Sequence, residues 1–330
     1  MKHWVVTGAA GFIGSRFVEA CQKRSDIVLT CVDQESAFTS RNEMRGLDFR
    51  KTIDRSHFLQ TLTDPKNLLD RPRPDFDAII HLGAITDTRE TNVDLLNRYN
   101  LEYSKAIWNF ASLYRIPLIY ASSAATYGDG SLGYDDSEEL IPDLRPLNLY
   151  GESKQAFDLW ALAEEKLGNH PPSWAGFKFF NVYGFGERHK EFMASVVLHA
   201  FDQIRKSGDV TLFKSHKQGI ADGYQKRDFI YVDDVVDVLF FALQKPILRG
   251  IYNLGTGQAR TFLDLTRATF KALGQPEDIR FIDTPVSIRD KYQYFTQAPM
   301  ARLREAGYAK AFTELEVGID QYVARLARSR

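Results

Sequence analysis

The chain is short of cysteine, with two in 330 residues, Cys21 and Cys31. Two cysteines build no disulfide framework and match no metal-ligand spacing, so the expectation is no disulfide scaffold and no metal. Lying in a predicted helix and a predicted strand, they read as small buried hydrophobes. Charge of one sign is also missing, since 42 Lys and Arg stand against 43 Asp and Glu. That excludes the basic footprint a polyanion demands, and nucleic acid is not an expected partner. The basic tail over 324–330 reads as the solvated end of a terminal helix. Long apolar runs are absent too: the longest, 235–243, contains Asp237 and is too short to span a bilayer. The first residues enter a strand almost at once, which leaves no space for a cleavable leader. A cytoplasmic protein without a membrane partner is expected.

What the chain does hold is core material, 44% hydrophobic and 13% aromatic, which excludes disorder. Its first half alternates two periods. Strands are predicted over 3–7, 27–32, 78–81, 116–123 and 177–182, and helices over 12–24, 91–115 and 150–167. Such alternation with short turns is the pattern of a parallel sheet covered by helices on both faces. Later the pattern loosens into predicted helices over 191–206, 233–245, 261–273 and 313–327, with strands over 210–213, 228–232, 251–254 and 279–282. No repeat and no linker-like tract separates the halves. The expectation is therefore an α/β fold, a Rossmann-like doubly wound parallel sheet with a smaller, discontinuous α/β lobe. Residues 1–180 and 227–256 would form the dinucleotide-binding domain, and 181–226 and 257–330 the substrate-binding lobe.

Between the first strand and first helix lies Thr7-Gly8-Ala9-Ala10-Gly11-Phe12-Ile13-Gly14. Glycines there permit a tight turn, admit a pyrophosphate to the backbone and let the helix pack closely, while the helix N-terminus offers N–H groups to phosphate. Asp33 ends the second strand, where a carboxylate can hold a ribose hydroxyl. Alone it favours NAD by repelling a 2′-phosphate. Nearby Arg41, Arg45 and Arg55 could instead clamp that phosphate, or could form a solvated basic loop.

A second cluster follows. Ser122-Ser123-Ala124-Ala125-Thr126-Tyr127-Gly128 ends a strand, and Tyr150 and Lys154 share one face of the next helix. A free tyrosine, with a pKa near ~10, is a poor base at neutrality. A lysine charge beside it stabilises phenolate, and a serine hydroxyl can orient a reacting oxygen.

These motifs, with His81-Leu82-Gly83-Ala84 and the run Arg227-Asp228-Phe229-Ile230-Tyr231-Val232-Asp233-Asp234, resemble the extended short-chain dehydrogenases/reductases that modify nucleotide sugars. Further segments resemble the branch that epimerises ADP-heptoses at C-6: Phe180-Asn181-Val182-Tyr183-Gly184, His189-Lys190, Met193-Ala194-Ser195-Val196 and 292–298. The resemblance implies interconversion of ADP-D-glycero- and ADP-L-glycero-D-manno-heptose, a lipopolysaccharide inner-core precursor. It also implies NADP as cofactor, with NAD the alternative, and a homo-oligomer. Catalytic roles fall on Ser123, Tyr150, Lys154 and Lys190. Cofactor contacts fall on Gly8, Gly11, Phe12, Ile13, Gly14, Asp33, Gln34, Arg55, Leu82, Gly83, Ala84, Ile85, Lys154 and Val182. Substrate contacts fall on Ser123, Asn181, Lys190, His199, Phe213, Lys214, Ser215, His216, Arg227 and Tyr292.

Four features depart from that pattern. Phe38 stands where a basic cofactor contact is expected, Tyr99 where asparagine is usual though Asn100 is adjacent, and Phe192 where a small polar residue is usual. The loop over 214–226 is also long. Ala124-Ala125 occupies the place of the acidic pair that dehydratases use, which argues against dehydration. A 4-epimerase, which needs no His189-Lys190 pair, and a non-catalytic NAD(P)-binding scaffold remain the alternative functions.

Overall fold

The computed structural model describes residues 1–41, 46–49, 51–64, 74–245, 247–289 and 292–329. Its strands, in chain order, are β1 (Lys2–Thr7), β2 (Ile27–Asp33), β3 (Thr52–Asp54), β4 (Ala78–His81), β5 (Leu118–Ser123), β6 (Trp174–Phe179), β7 (Asn181–Tyr183), β8 (Val210–Phe213), β9 (Lys226–Tyr231), β10 (Ile251–Leu254), β11 (Ala259–Thr261) and β12 (Ile279–Ile282). The chain divides into two compact units, both discontinuous: Met1–Gly128, Asp136–Lys178 and Val236–Tyr252 form one, and Asp129–Asp135, Phe179–Val235 and Asn253–Arg330 the other.

The first unit is built on a seven-stranded sheet in the order β10-β6-β5-β4-β1-β2-β3. Pairs β1–β2, β1–β4, β2–β3 and β4–β5 are parallel. Val5, Val6, Ile79 and Ile80 are fully buried, as expected of strands covered on both faces. On one face Phe17, from the helix Phe12–Gln22, stacks with Phe240 at 4.9 Å and Trp4 at 6.1 Å. On the other, Trp108 meets Trp174 at 5.0 Å and Phe157 at 6.3 Å. Strand order reverses between β1 and β4, and such a switch point opens a crevice at the strands' carboxyl ends. This is the Rossmann-like, doubly wound arrangement.

The second unit carries a three-stranded sheet, β11-β9-β7, and a two-stranded one, β12-β8. The helices Val196–Ser207 and Phe262–Leu273 pack on the latter through Ala200, Ile204, Leu263 and Phe270, closing on Val210 and Leu212. A capping box between Thr261 and Asp264 starts the second of these helices. Among the described residues no helix is long and apolar enough to cross a membrane.

Several expected boundaries move. Residues 227–235, expected with the cofactor domain, group with the second unit because β9 bonds to β7 and β11. The strand expected over 177–182 is two strands, β6 and β7, which belong to different sheets. The helix expected over 191–206 begins at Val196, after a short 3₁₀ segment, Arg188–Met193. The helix expected over 91–115 is interrupted: Val93–Leu96 leads into a π-helical turn, Asn97–Glu102, before Tyr103–Leu113 resumes α geometry. β3, β11 and the helix Arg55–Thr63 carry too few apolar residues in period to be read in advance.

One ion pair fastens β5 and β6 to the helix Leu149–Lys166. Lys178 Nζ lies 2.9 Å from Asp158 Oδ2, with both side chains wholly buried. Tyr120 and Ser122 donate to the same carboxylate at 3.0 and 2.7 Å, and Lys178 also donates to Thr126 Oγ1 at 2.7 Å. Removing one partner strands a buried charge. Lys178→Met should lower unfolding stability by about 3–5 kcal/mol, with Asp158→Asn/Lys178→Met recovering part of the loss, as measured by denaturant titration.

Candidate active site

The glycine turn is shaped by contact. Gly8 takes φ +69°, and a Cβ there would meet the Gly83 backbone at 2.6 Å; a Cβ on Gly14 would meet the Gly8 carbonyl at 2.0 Å. No side chain fits, so β1, β4 and the helix Phe12–Gln22 converge at backbone distance. Gly11 caps that helix with extended backbone, leaving the first-turn N–H groups pointing outward. Asp33 accepts from Ala10 N at 2.9 Å and from Gln34 N at 2.8 Å, which holds its carboxylate against the turn. Arg41 donates to the Ala10 carbonyl. The bare backbone, the free first-turn N–H groups and the adjacent carboxylate fit a dinucleotide.

Phe38 packs on Phe49 at 4.9 Å and joins Ala10 and Ala37 in a small apolar cluster, so it lines the turn without supplying a cation. Arg55 begins the helix after β3 and lies over the Tyr99 ring at 4.2 Å. Arg45 falls outside the described residues.

The segment after β4 is held from below. Asn100 is buried; its amide donates to the Ile85 carbonyl at 3.0 Å and to Ser153 Oγ at 3.0 Å, and its carbonyl accepts from Ile85 N at 2.8 Å. The π-helical turn brings this about, because the extra residue in the turn rotates Asn100, and not Tyr99, into the interior. In sequence Tyr99 stands where asparagine is usual, with Asn100 adjacent, and it is Asn100 that turns inward. Leu82, Gly83 and Ala84 follow β4, with Leu82 N and Gly83 N donating to the Thr7 carbonyl and hydroxyl at 3.1 and 3.2 Å.

Ser123, Tyr150 and Lys154 lie together in the first unit. Asn148 caps the helix Leu149–Lys166 by accepting from Gly151 N at 2.8 Å, which fixes where Tyr150 emerges. Burial pushes the Tyr150 hydroxyl above its ordinary value, and its side-chain hydrogen bond with Ser123 pulls it back down. Lys154 is 5% exposed and donates to the Ala121 carbonyl at 2.8 Å. Burial depresses its pKa to about 8, opposed by the Asp158 carboxylate one turn on. A buried lysine one helical turn from a buried tyrosine, with a serine hydroxyl on that tyrosine, is a grouping suited to acid–base work.

The other expected residues belong to the second unit. Asn181 and Val182 lie on β7, paired with Phe229 and Ile230. Lys190 is half-buried in the 3₁₀ segment; burial lowers its pKa and Glu187 raises it. His199 Nε2 meets the Phe192 carbonyl at 3.3 Å, and Phe192 itself is 48% exposed. Arg227 is buried, donates to the Gln293 carbonyl and lies 5.5 Å from the Tyr292 ring. Phe213 ends β8. Lys214 pairs with Asp283 at 3.3 Å, Ser215 N donates to Asp222 at 2.7 Å, and His216 Nε2 accepts from Thr284 N at 3.1 Å. The long loop is thus tied to the segment after β12. Asp228, in the recognised acidic run, is a brace: its carboxylate accepts from Thr256 N, Gly257 N and Ala298 N at 2.7 to 3.0 Å.

The chain matches the NAD dependent epimerase/dehydratase family over residues 4–255 and belongs to it. It is 44% identical to the ADP-L-glycero-D-manno-heptose-6-epimerase of Fusobacterium nucleatum, across 97% of this chain and 96% of that one. The protein of the same name from Nitratidesulfovibrio vulgaris is also 44% identical, across 98% and 97% of the two chains. Among solved structures, the Helicobacter pylori ADP-L-glycero-D-manno-heptose-6-epimerase superposes with TM-score 0.80 at 25% identity, across 99% of this chain and 96% of that one.

His81 gives a pH test of this scaffold. It is buried between Thr7 Oγ1 at 2.6 Å and Ser104 Oγ at 2.9 Å, and burial lowers its pKa to about 3. The unfolded imidazole, with its pKa near ~6.5, binds a proton well before the folded one does. Stability is therefore full above that value and falls as pH drops toward 3. His81→Gln, which can still donate and accept, should flatten the decline between pH 6.5 and 3 in unfolding measurements.

Proposed function

We propose that this protein interconverts ADP-D-glycero- and ADP-L-glycero-D-manno-heptose at C-6 through a transient 6-keto sugar, supplying lipopolysaccharide inner-core heptose. The observation that carries the reading is the grouping of Ser123, Tyr150 and Lys154 in a chain 44% identical to heptose epimerases over nearly its whole length. When bound, a nicotinamide cofactor supplies reversible uptake and return of hydride. Tyr150, as phenolate, accepts the C-6 hydroxyl proton as the carbon is oxidised. Ser123 donates a hydrogen bond to the reacting oxygen. Lys154 favours the phenolate and would hold the nicotinamide ribose. Return from the opposite face needs a second proton donor, and Lys190 takes that role: its ammonium gives the proton in one direction and its amine receives it in the other.

NADP is the proposed cofactor, supported by Arg41 on the glycine turn and by Arg55, which follows β3 and lies over the Tyr99 ring. Asn181, His199, Arg227 and Tyr292, with 213–216, are the proposed substrate contacts, and Arg227's fork of donors suits a diphosphate. A cytoplasmic homo-oligomer is the reading most in keeping with the family.

Tyr150→Phe should reduce turnover of either ADP-heptose by roughly 10²–10⁴-fold while leaving the fold intact. The wild-type reaction in deuterated water should place no solvent deuterium at C-6. Label at C-6 would mean deprotonation at carbon and remove the oxidation–reduction route. For the cofactor, mass spectrometry of heat-released extract should find NADP(H); NAD(H) alone, with no binding of added NADP⁺, would overturn the phosphate assignment.

A further inference from the structure

Glu187 has no exposed surface, although its neighbour Arg188 is 49% exposed. Its Oε1 accepts from Ser195 Oγ at 2.6 Å and from Gly184 N at 3.3 Å, and its Oε2 accepts from Ser195 N at 2.7 Å. The Tyr322 hydroxyl, from the helix Leu315–Arg328, adds a further hydrogen bond. Converging N–H and O–H donors fit an ionised carboxylate, which only accepts. One side chain thus joins the end of β7, the cap of the helix Val196–Ser207 and the terminal helix.

The loop so closed runs from 187 to 195, with Lys190 inside it. Lys190 N donates to the Glu187 carbonyl at 2.9 Å, and Ala194 N to the Glu191 carbonyl at 3.0 Å. Between the two turns Glu191 takes φ 49° and ψ −122°, the mirror-image turn position that glycine normally fills. Such strain persists only where the surroundings impose it. The clasp from Glu187 to Ser195 is the restraint that spans it.

We propose that Glu187 is a positioning residue for Lys190, its buried carboxylate closing the loop that presents the ammonium and setting a negative charge three residues from it. The idea rests on the reading that Lys190 transfers a proton to the sugar. Burial favours the neutral amine and Glu187 favours the ammonium, so the pair keeps the lysine able to exchange. The other groups nearby are Tyr322 on the terminal helix, His189 beside it in the chain, His199 against Phe192, and Arg188, which Asp202 holds at 2.8 Å.

The test labels surface and half-buried lysines of the whole protein by reductive ¹³C-methylation and follows the Lys190 signal, assigned by its loss in Lys190→Arg, against pH. Glu187→Gln should move that titration down by about one unit or more, with the corresponding limb of the kcat–pH profile following and KM little changed. Glu187→Asp, which keeps the charge, should restore most of the titration. The reciprocal variant, Lys190→Met, should raise the titration of the Glu187 carboxyl carbon and serves if the Gln variant does not fold. Unshifted titrations in folded variants would overturn the proposal. Full epimerisation by Lys190→Ala would instead remove Lys190 from the chemistry while the shifted titrations stood, so the two readings fail separately.

Discussion

Asp158 is the residue on which the first unit's chemistry hangs. Its carboxylate is fully buried, yet it receives Tyr120, Ser122 and Lys178 together. Lys178 passes the constraint to Thr126, whose hydroxyl bonds the Ser123 carbonyl at 2.8 Å, and so to the turn that aims Ser123. The same carboxylate lies one helical turn beyond Lys154 and opposes the loss of its charge. Desolvating three ionised groups is unfavourable unless each finds partners, and here the partners are the backbone and hydroxyls of the site itself. The arrangement therefore ties the strand end, the helix and the ammonium into one rigid object.

The glycine turn and the Tyr150–Lys154 pair were legible because each is a local device. Close backbone approach admits only glycine, and a four-residue spacing places two side chains on one helical face wherever the helix sits. Asn100 was not legible to a residue, because a single π-helical turn changes which position faces inward while leaving the apolar period of 91–115 nearly intact. The break between β6 and β7 was hidden for a similar reason: the aromatic-rich stretch from Phe177 to Val182 reads as one strand, and only the partners each half finds, β10 on one side and β9 on the other, show where it divides. Lys178 and Glu187 read as ordinary surface charges in sequence. Their burial depends on partners 20 and 8 positions away in the chain.

Cofactor preference shows how far geometry carries the same question. Asp33 points both oxygens at backbone N–H groups of the turn and its own strand end, so its charge is partly spent within the protein. Arg41 engages the carbonyl of the same Ala10 whose N–H Asp33 receives. A carboxylate and a guanidinium thus engage the two sides of one residue, and the local field that a 2′-phosphate would meet is their difference rather than the repulsion of Asp33 alone.

Two lysines, one in each unit, share the same electrostatic setting. Lys154 and Lys190 are each lowered by burial and raised by a carboxylate within a turn of the chain, Asp158 four residues on and Glu187 three residues back. Either influence alone would be unsuited to proton exchange: an exposed ammonium holds its proton far above neutrality, and a desolvated lysine without a counter-charge stays an amine. Balance requires that the carboxylate itself not be neutralised by the lysine it serves, and in both places other donors hold it. Tyr120, Ser122 and Lys178 occupy Asp158; Ser195, Gly184 and Tyr322 occupy Glu187. With the acid committed elsewhere, the lysine is influenced by its charge through space and remains able to give up a proton. For Lys190 that is the property its proposed role demands, acid in one direction of a reversible reaction and base in the other.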